Sequence, residues 1–527
     1  MPALSFGANP GKPADPSPAL GSGSPHYHWW ITAALMLGFT TVGLSVTVVN
    51  IAFPKIMTSL RVDLDVMQWV QTGYMIMQAV IMPSVGWVGA RLGNRRVYLL
   101  ALGVFVSGSA LSGLAWDISS LIVFRLVQAV GGGLLFPTSQ VILFETFPEE
   151  KRGLAMGVSS LGFSLGPMMG PVLGGYLIEY ASWRAVFYIN VPVGILGLIL
   201  AYLILPAAPR QGSRPLDVPG MLTLAAFLVS LLLAVSQGND EGWDSQYILT
   251  LFGIAFIAGV SFVIAELRHD QPFVELRLYK SLAFSLASIV VFINTISFMA
   301  ANFIVILFLQ IHLDYTPLQT AWMMMPSAVV IGVLSVGAGR LSDLVPGKIL
   351  IIFGLGAVAV CLVQYASITA WTSVGTITLW LTARGFARAF TIAPLSAVSL
   401  SALNESEVRM GSGLLSLNRG VASTGSVALA ATVFQNRVAE RTTLLAQDHM
   451  LAPLGADKLL DSLATTFQHL GDLNQTAQMK SLAVLHELVG AEAALHSYHD
   501  TFLLIGTITA LGIVPALWMG KANVSPK

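Results

Sequence analysis

The chain has 527 residues, of which 55% are hydrophobic and only 10% charged, against roughly a quarter charged in soluble globular proteins. Its 27 Lys+Arg and 27 Asp+Glu cannot coat a soluble fold of this size, so most of the surface must face lipid. This excludes a soluble enzyme and a disordered chain, and continuous apolar runs of about 20 residues, with no polar alternation, exclude an outer-membrane barrel. A formal net charge of zero gives no global attraction for nucleic acid.

Residues 1–28 are rich in Pro, Gly and Ser and hold no apolar run, which reads as a disordered cytoplasmic tail followed by an uncleaved anchor. From there about fourteen stretches are long enough to cross a hydrocarbon core of ~30 Å at 1.5 Å per residue. They begin near Trp29, Val66, Val97, Ser119, Leu154, Ala185, Val218, Tyr247, Leu282, Leu318, Ile349, Val374, Met410 and Thr501. The fold predicted is an all-α polytopic membrane protein. Arg91, Arg95, Arg96, Lys151, Arg152, Arg210, Arg214, Arg268, Arg277, Lys280, Arg340, Lys348, Arg409, Lys521 and Lys527 then fall on one side, and only Lys55, Arg61 and Arg184 in short loops on the other. Basic loops stay in the cytosol, which puts both termini there, requires an even number of spans, and predicts a multi-pass protein of the cytoplasmic (inner) membrane.

Between the last two spans, from roughly Asn436 to Asp500, lies a long outer segment whose apolar residues recur at three and four, predicting short amphipathic helices. A loop of this length is commonly functional or disordered, so it either packs on the outer mouth or meets a partner protein, or is a passive insertion. The single cysteine, Cys361, sits in an apolar run, so an intramolecular disulfide and a thiolate metal cage are both excluded and it reads as a small core hydrophobe. No metal, cofactor or catalytic residue is expected. A polytopic enzyme would need converging nucleophile, acid or metal ligands at membrane depth, and no His-Glu-x-x-His, paired intramembrane aspartate or phosphate loop occurs.

Two features recur in order along the chain, as in transporters built from repeated bundles. The first is a Gly-rich basic turn, Gly86-Trp87-Val88-Gly89-Ala90-Arg91-Leu92-Gly93-Asn94-Arg95-Arg96, answered later by Gly339-Arg340-Leu341-Ser342-Asp343. Gly86, Arg91, Gly93, Arg95, Gly339 and Asp343 are candidate gating residues: glycine permits the turn and close helix approach, and the charges pair across helix ends. The second is arginine inside a span, Arg125 with Gln128 one turn on, and Arg384 with Arg388. An arginine at a helix centre costs roughly 2.5–3.5 kcal/mol on insertion scales, so it faces a polar cavity or a partner unless it snorkels to the headgroups. The fifth span adds a glycine ladder, Gly157, Gly166, Gly170-Pro171 and Gly174-Gly175, which thins a helix face for close packing and permits a kink at the proline.

The ladder resembles the antiporter motif of the drug exporters of the major facilitator superfamily at every defined position. The segment 86–96 is similar to that superfamily's loop motif, and Leu121 to Gly133 to its fourth-span motif, with Ala129 in place of a glycine. Ser182-Trp183-Arg184 with Phe187 to Gly194, Asp217 to Gly220, Gln271 to Leu276, and Asn418-Arg419 with Ser423 and Gly425 resemble the fourteen-span drug:proton antiporter branch, the EmrB/QacA type. The resemblance covers nearly the whole chain. It implies two six-helix bundles at 29–205 and 282–520, two additional linking spans at 206–281, an extracytoplasmic loop at 436–500 and a cytoplasmic tail at 521–527. It also implies proton-coupled export by alternating access around a central site, and in some members a periplasmic adaptor as partner.

Two positions depart from the family pattern. Ser45, in the run Leu44 to Asn50, stands where the branch usually has aspartate, and Ala90 stands where the loop motif often has one, which Asp343 keeps in the second copy. None of the nine histidines falls within a predicted span, and Glu145, Glu179, Asp217 and Glu266 lie near span ends. The pathway expected from Ser45, Asn50, Arg125, Gln128 and Arg384 is therefore rich in arginine and poor in acid. That favours a small amphipathic compound, neutral or anionic, over a lipophilic cation, with Phe298, Trp322, Met323 and Met324 offering apolar contact. It also either moves proton coupling to an acid nearer a mouth or makes it weak, and leaves a transporter-fold sensor or structural subunit as the alternative.

Overall fold

The computed structural model describes residues 26–206, 217–269, 272–369, 371–404, 407–447, 456–470 and 473–519. The tails expected at 1–28 and 521–527 lie outside the described residues except for 26–28, where Tyr27 and His28 already belong to the first helix. The side chains of Asn50 and Pro171 lie outside them as well.

The first half holds α1 (Tyr27–Leu60), α2 (Leu64–Ile81), α3 (Val85–Leu92), α4 (Asn94–Gly113), α5 (Ile118–Thr146), α6 (Arg152–Tyr180), α7 (Ala185–Tyr188) and α8 (Asn190–Ile204). A central pair follows, α9 (Val218–Glu241) and α10 (Gln246–Arg268). The second half holds α11 (Leu282–Leu307), α12 (Pro317–Leu344), α13 (Gly347–Tyr365), α14 (Val374–Ser401), α15 (Val408–Gln447), α16 (Ala456–His469), α17 (Asn474–Leu511) and α18 (Ile513–Trp518). Side-chain caps mark many of the starts: Asp117, Asp217, Ser245, Ser281, Thr316 and Ser373 each accept a first-turn backbone N–H.

Among the described residues, 11 segments are long and apolar enough to cross a membrane, with α2–α3, α7–α8 and α17–α18 each counting as one. Three further helices have membrane length: α6 with the glycine ladder (29 residues), α14 with two arginines (28 residues) and α15 (40 residues). Together they make the fourteen spans of an all-helical, multi-pass membrane protein.

Packing repeats between the halves. In the first, α1 packs on α6 and α8, α5 on α2 and α4, and α4 on α8; in the second, α11 packs on α15 and α17, α14 on α12 and α13, and α13 on α17. The same pairings in the same order make two six-helix bundles. They meet through α6 against α12 and through α2, α3 and α5 against α15, while α9 and α10 pair with each other and α9 leans on α2 and α15. Thr432 on α15 donates to Asn239 on α9 at 2.7 Å, tying the central pair to the second bundle.

The outer segment differs from the expectation of short helices alone. α16 is a separate amphipathic helix packed on α17, but α17 begins at Asn474 and runs unbroken into the last span, which was expected to start near Thr501. The only glycine inside it before the span, Gly490, has an ordinary backbone and open space around it, so nothing stops the helix.

Candidate transport pathway

The Arg125 side chain is completely buried within the first bundle. Its position follows from glycines on α5 and its neighbour. A Cβ at Gly131 would stand 2.5 Å from the Phe105 amide nitrogen on α4, one at Gly133 2.8 Å from the Gln78 carbonyl on α2, and one at Gly108 of α4 2.6 Å from the Gln128 nitrogen. Only bare backbone lets three helices close on this point. Arg125 Nη1 donates to Ser45 Oγ (2.9 Å) and Gln128 Oε1 (2.8 Å), Nη2 to Gln71 Oε1 (3.3 Å) and Nε to the Val70 carbonyl (3.4 Å). The guanidinium lies 4.0 Å from the Tyr74 ring centre. Gln128 Nε2 also donates to Ser45 Oγ, at 3.2 Å. Ser45 thus meets the arginine from the position where the family's acid usually stands, and the whole cage is neutral apart from Arg125 itself.

The second bundle places three arginines on α14 and α15. Arg384, 5% exposed, donates through Nη2 to Asn302 Oδ1 and lies over Tyr365, while its Nη1 is buried without a partner. One turn on, Arg388 rests 3.3 Å from the Phe298 ring centre and donates weakly to Asn294 Oδ1 at 3.4 Å, leaving a buried Nε without a partner. Arg419 donates to Ser396 Oγ at 3.0 Å and faces Phe136 of the first bundle. Arg388 feels the positive charge of both Arg384 and Arg419, and among the described residues none of the three makes an ion pair. Snorkelling, which the sequence left open for Arg388, is replaced by a cation–π contact inside the bundle. Of the apolar candidates, Phe298 lies under Arg388, Met323 is buried and Trp322 is half exposed.

The ladder divides its work between two helices. A Cβ at Gly166 would stand 2.5 Å from the Leu44 nitrogen and 2.7 Å from the Gly43 Cα, and those at Gly170 and Gly174 would meet Thr47 and Val48, so this stretch receives α1. Gly157 instead receives α12, facing the Ser335 carbonyl and, at 3.0 Å, the Val336 Cα, whereas Gly175 meets nothing within 4 Å.

The two basic turns lie at one end of the bundles, called here the basic face. Gly93 has φ +81°, the left-handed region that a side chain resists, and ends α3 sharply. Arg91 stacks on Trp87, and Arg95 donates to the Tyr202 carbonyl at 2.6 Å while lying over its ring. Gly86 backs onto Met410 of α15, and Gly339 onto the Gly153 backbone of α6. Asp343 accepts the backbone N–H groups of Gly153 (2.7 Å) and Leu154 (3.0 Å), unsatisfied donors in the first turn of α6 in the other bundle. Ala90 offers no such group in the first copy. There Glu145 at the end of α5 accepts from Asn94 (2.7 Å) and pairs with Arg409 of α15 (2.9 Å), and Ser412 donates to the Pro137 carbonyl at 3.0 Å. Apart from the Asn94 bond, which stays within the first bundle, these and the Ser335 hydroxyl donating to the Gly157 carbonyl at 3.1 Å are the hydrogen bonds that join the two bundles among the described residues, and they gather toward the basic face. Glu145, Asn94 and Arg409 were not foreseen at this seam; the only signal was an acid at one span end and a base at another, 264 positions apart.

A family model described as the Major Facilitator Superfamily matches residues 35–426. An uncharacterised MFS-type transporter of Bacillus subtilis, YhcA, is 28% identical over 486 residues, covering 92% of this chain and 91% of its own. The multidrug export protein EmrB of Haemophilus influenzae is 26% identical across 93% of this chain and 95% of its own, and multidrug resistance protein 3 of Bacillus subtilis 27% identical across 94% and 96%. The crystal structure of the human organic anion transporter MFSD10 superposes with a TM-score of 0.57 at 15% identity, covering 92% of this chain and 99% of that one, a likeness of fold. Repeated bundles, matching motifs and full-length relatives agree: the chain is a membrane transporter that belongs to the major facilitator superfamily, and multidrug export and resistance proteins are among its relatives.

Proposed function

We propose that this transporter exports a small amphipathic compound, neutral or anionic, by alternating access coupled to protons, with Ser45, Asn50, Arg125, Gln128 and Arg384 bordering the pathway. One observation carries the reading: arginines at membrane depth in both bundles with no carboxylate paired to them. A lipophilic cation would meet like charge there and no countercharge. The basic face is assigned to the cytosol because Arg91, Arg95, Arg96, Lys151, Arg340 and Lys348 collect on it. Both termini then lie in the cytosol of a cell whose cytoplasmic membrane holds the protein, and the bundles described are shut on the cytoplasmic side. The domain limits 29–205, 206–281 and 282–520 follow the same reading, as do the gating roles of Gly86, Arg91, Gly93, Arg95, Gly339 and Asp343 and the packing role of the ladder. The outer helices at 436–500 are the surface a periplasmic adaptor would use in a cell with an outer membrane. The test is uptake into everted membrane vesicles, acid inside, of a fluorescent aryl carboxylate against a cationic dye. Carboxylate uptake several times that of empty vesicles and abolished by a protonophore is expected; robust proton exchange driven by the cationic dye alone would overturn the substrate class.

A further inference from the structure

We infer that Arg384, Arg388 and Arg419 form an oxyanion-binding column in the second bundle, which takes the carboxylate, sulfonate or phosphate group of the transported molecule. The inference rests on the export reading above and names the part of the pathway that reads charge.

Three observations support it. First, the bundle has set three permanent charges at membrane depth without a carboxylate to pair with any of them. Each is held by neutral groups only: Asn302, Asn294 and Ser396 supply oxygen dipoles, and Tyr365, Phe298 and Phe136 supply ring faces. Such a cluster repels itself, and an anion is the partner that would relieve it. Second, capacity is left over. Arg384 Nη1 and Arg388 Nε are buried donors without an acceptor, although a guanidinium offers five N–H groups and a forked geometry suited to an oxyanion. Third, the column ends beside the seam between the bundles. Arg419 lines a small cavity with Gln140 of α5, Ser396 of α14 and Ser412 of α15. An anion in the column would therefore stand against both bundles.

Arg125 is a contrast. Its cage supplies four hydrogen bonds and an aromatic face, and none of its nitrogens is left as a buried donor without a partner. The two arginine sites, equivalent by the repeat, thus differ: every Arg125 nitrogen has an acceptor, although Gln71 Nε2 and the Tyr74 hydroxyl beside it have none, whereas Arg384 and Arg388 each keep a nitrogen of their own without one.

The full chain in neutral-lipid nanodiscs would be titrated with 2-naphthoate, 2-naphthalenesulfonate, the neutral 2-naphthamide and inorganic phosphate, binding being read as thermal stabilisation. At least one aryl oxyanion is expected to bind at least tenfold more tightly than the amide, and R388Q and R419Q each to abolish that preference. R388K and R419K, which keep the charge but lose the fork, should fall between, and they carry the test if the glutamine variants fail to fold. Equal binding of oxyanion and amide, failure of both aryl oxyanions to bind, or unchanged preference in folded glutamine variants would overturn the column. Phosphate binding alone would overturn its assignment to the transported molecule. Binding without uptake in vesicles would refute export and leave the column standing; uptake with unchanged selectivity in R388Q and R419Q would do the reverse.

Discussion

Replacing Asp343 with alanine is expected to loosen the basic face. The Asp343 carboxylate accepts two N–H groups, from Gly153 at 2.7 Å and Leu154 at 3.0 Å, across the seam between the bundles. A hydrogen bond to a charged acceptor contributes about 1.5–3 kcal/mol, and a carboxylate at a helix N-terminus gains a further 0.3–1 kcal/mol or so from the dipole. When the seam opens, the carboxylate and both N–H groups regain water, so the net preference for the closed arrangement is set at about 3 kcal/mol, near the low end of that sum. That is roughly a 150-fold shift, enough to turn a population that is open about one part in a hundred into one about evenly divided. The substitution Asp343→Asn would keep an acceptor oxygen but no charge, and is expected to shift the balance only about tenfold. Spin labels at positions 96 and 348, one in each bundle at this face, with Cys361→Ala to remove the native thiol, report the separation as a distance distribution. D343A should gain a long-distance population and D343N a smaller one. A folded D343A protein with the wild-type distribution would refute the reasoning, because the two bonds would then hold nothing shut.

Two further outcomes follow from the packing and from the arginine cage. Gly166→Ala is expected to destabilise the protein by about 1–3 kcal/mol, since its Cβ would press on the backbone of Gly43 and Leu44, whereas Gly175→Ala, facing open space, should be neutral or stabilising by up to about 1 kcal/mol; equal midpoints in detergent melts would refute the division of the ladder. Ser45→Asp would put a carboxylate where the hydroxyl now stands 2.9 Å from Arg125 Nη1. The variant is expected to fold, to pair with Arg125, and to export cationic dye faster than wild type in vesicles; faster export of an anion instead would show that residue 45 does not set charge preference.

Much of the fold was legible because its causes are local. Apolar runs and capping residues such as Asp117, Ser245 and Ser373 announce where helices begin, and the observed starts fall within three residues of those expected for every span but the last. The last span went astray because hydropathy marks where lipid starts, and α17 starts as a helix 27 residues before Thr501. The arginines were visible as charges in the wrong place, but not their company. Ser45 and Arg125 are 80 positions apart, and Asp343 and Gly153 are 190 apart. Nothing short of the folded bundle shows that the first pair meets inside a closed cage, or that the second crosses from one bundle to the other. Ala90 carried half of this information: an acid missing from one copy of a repeat means that the other copy, or a different residue such as Glu145, must do the pairing.

The unbroken course of α17 also makes it a lever. A helix of 38 residues is about 57 Å long, so a change of 10° in its tilt swings one end by about 10 Å relative to the other. One arm packs on α11 and α13 within the second bundle, and the other carries α16, which the proposed topology puts beyond the lipid. A rotation of that bundle too small to matter among its own side chains would be written large at Asn474, where a label or an antibody fragment could read it without entering the membrane.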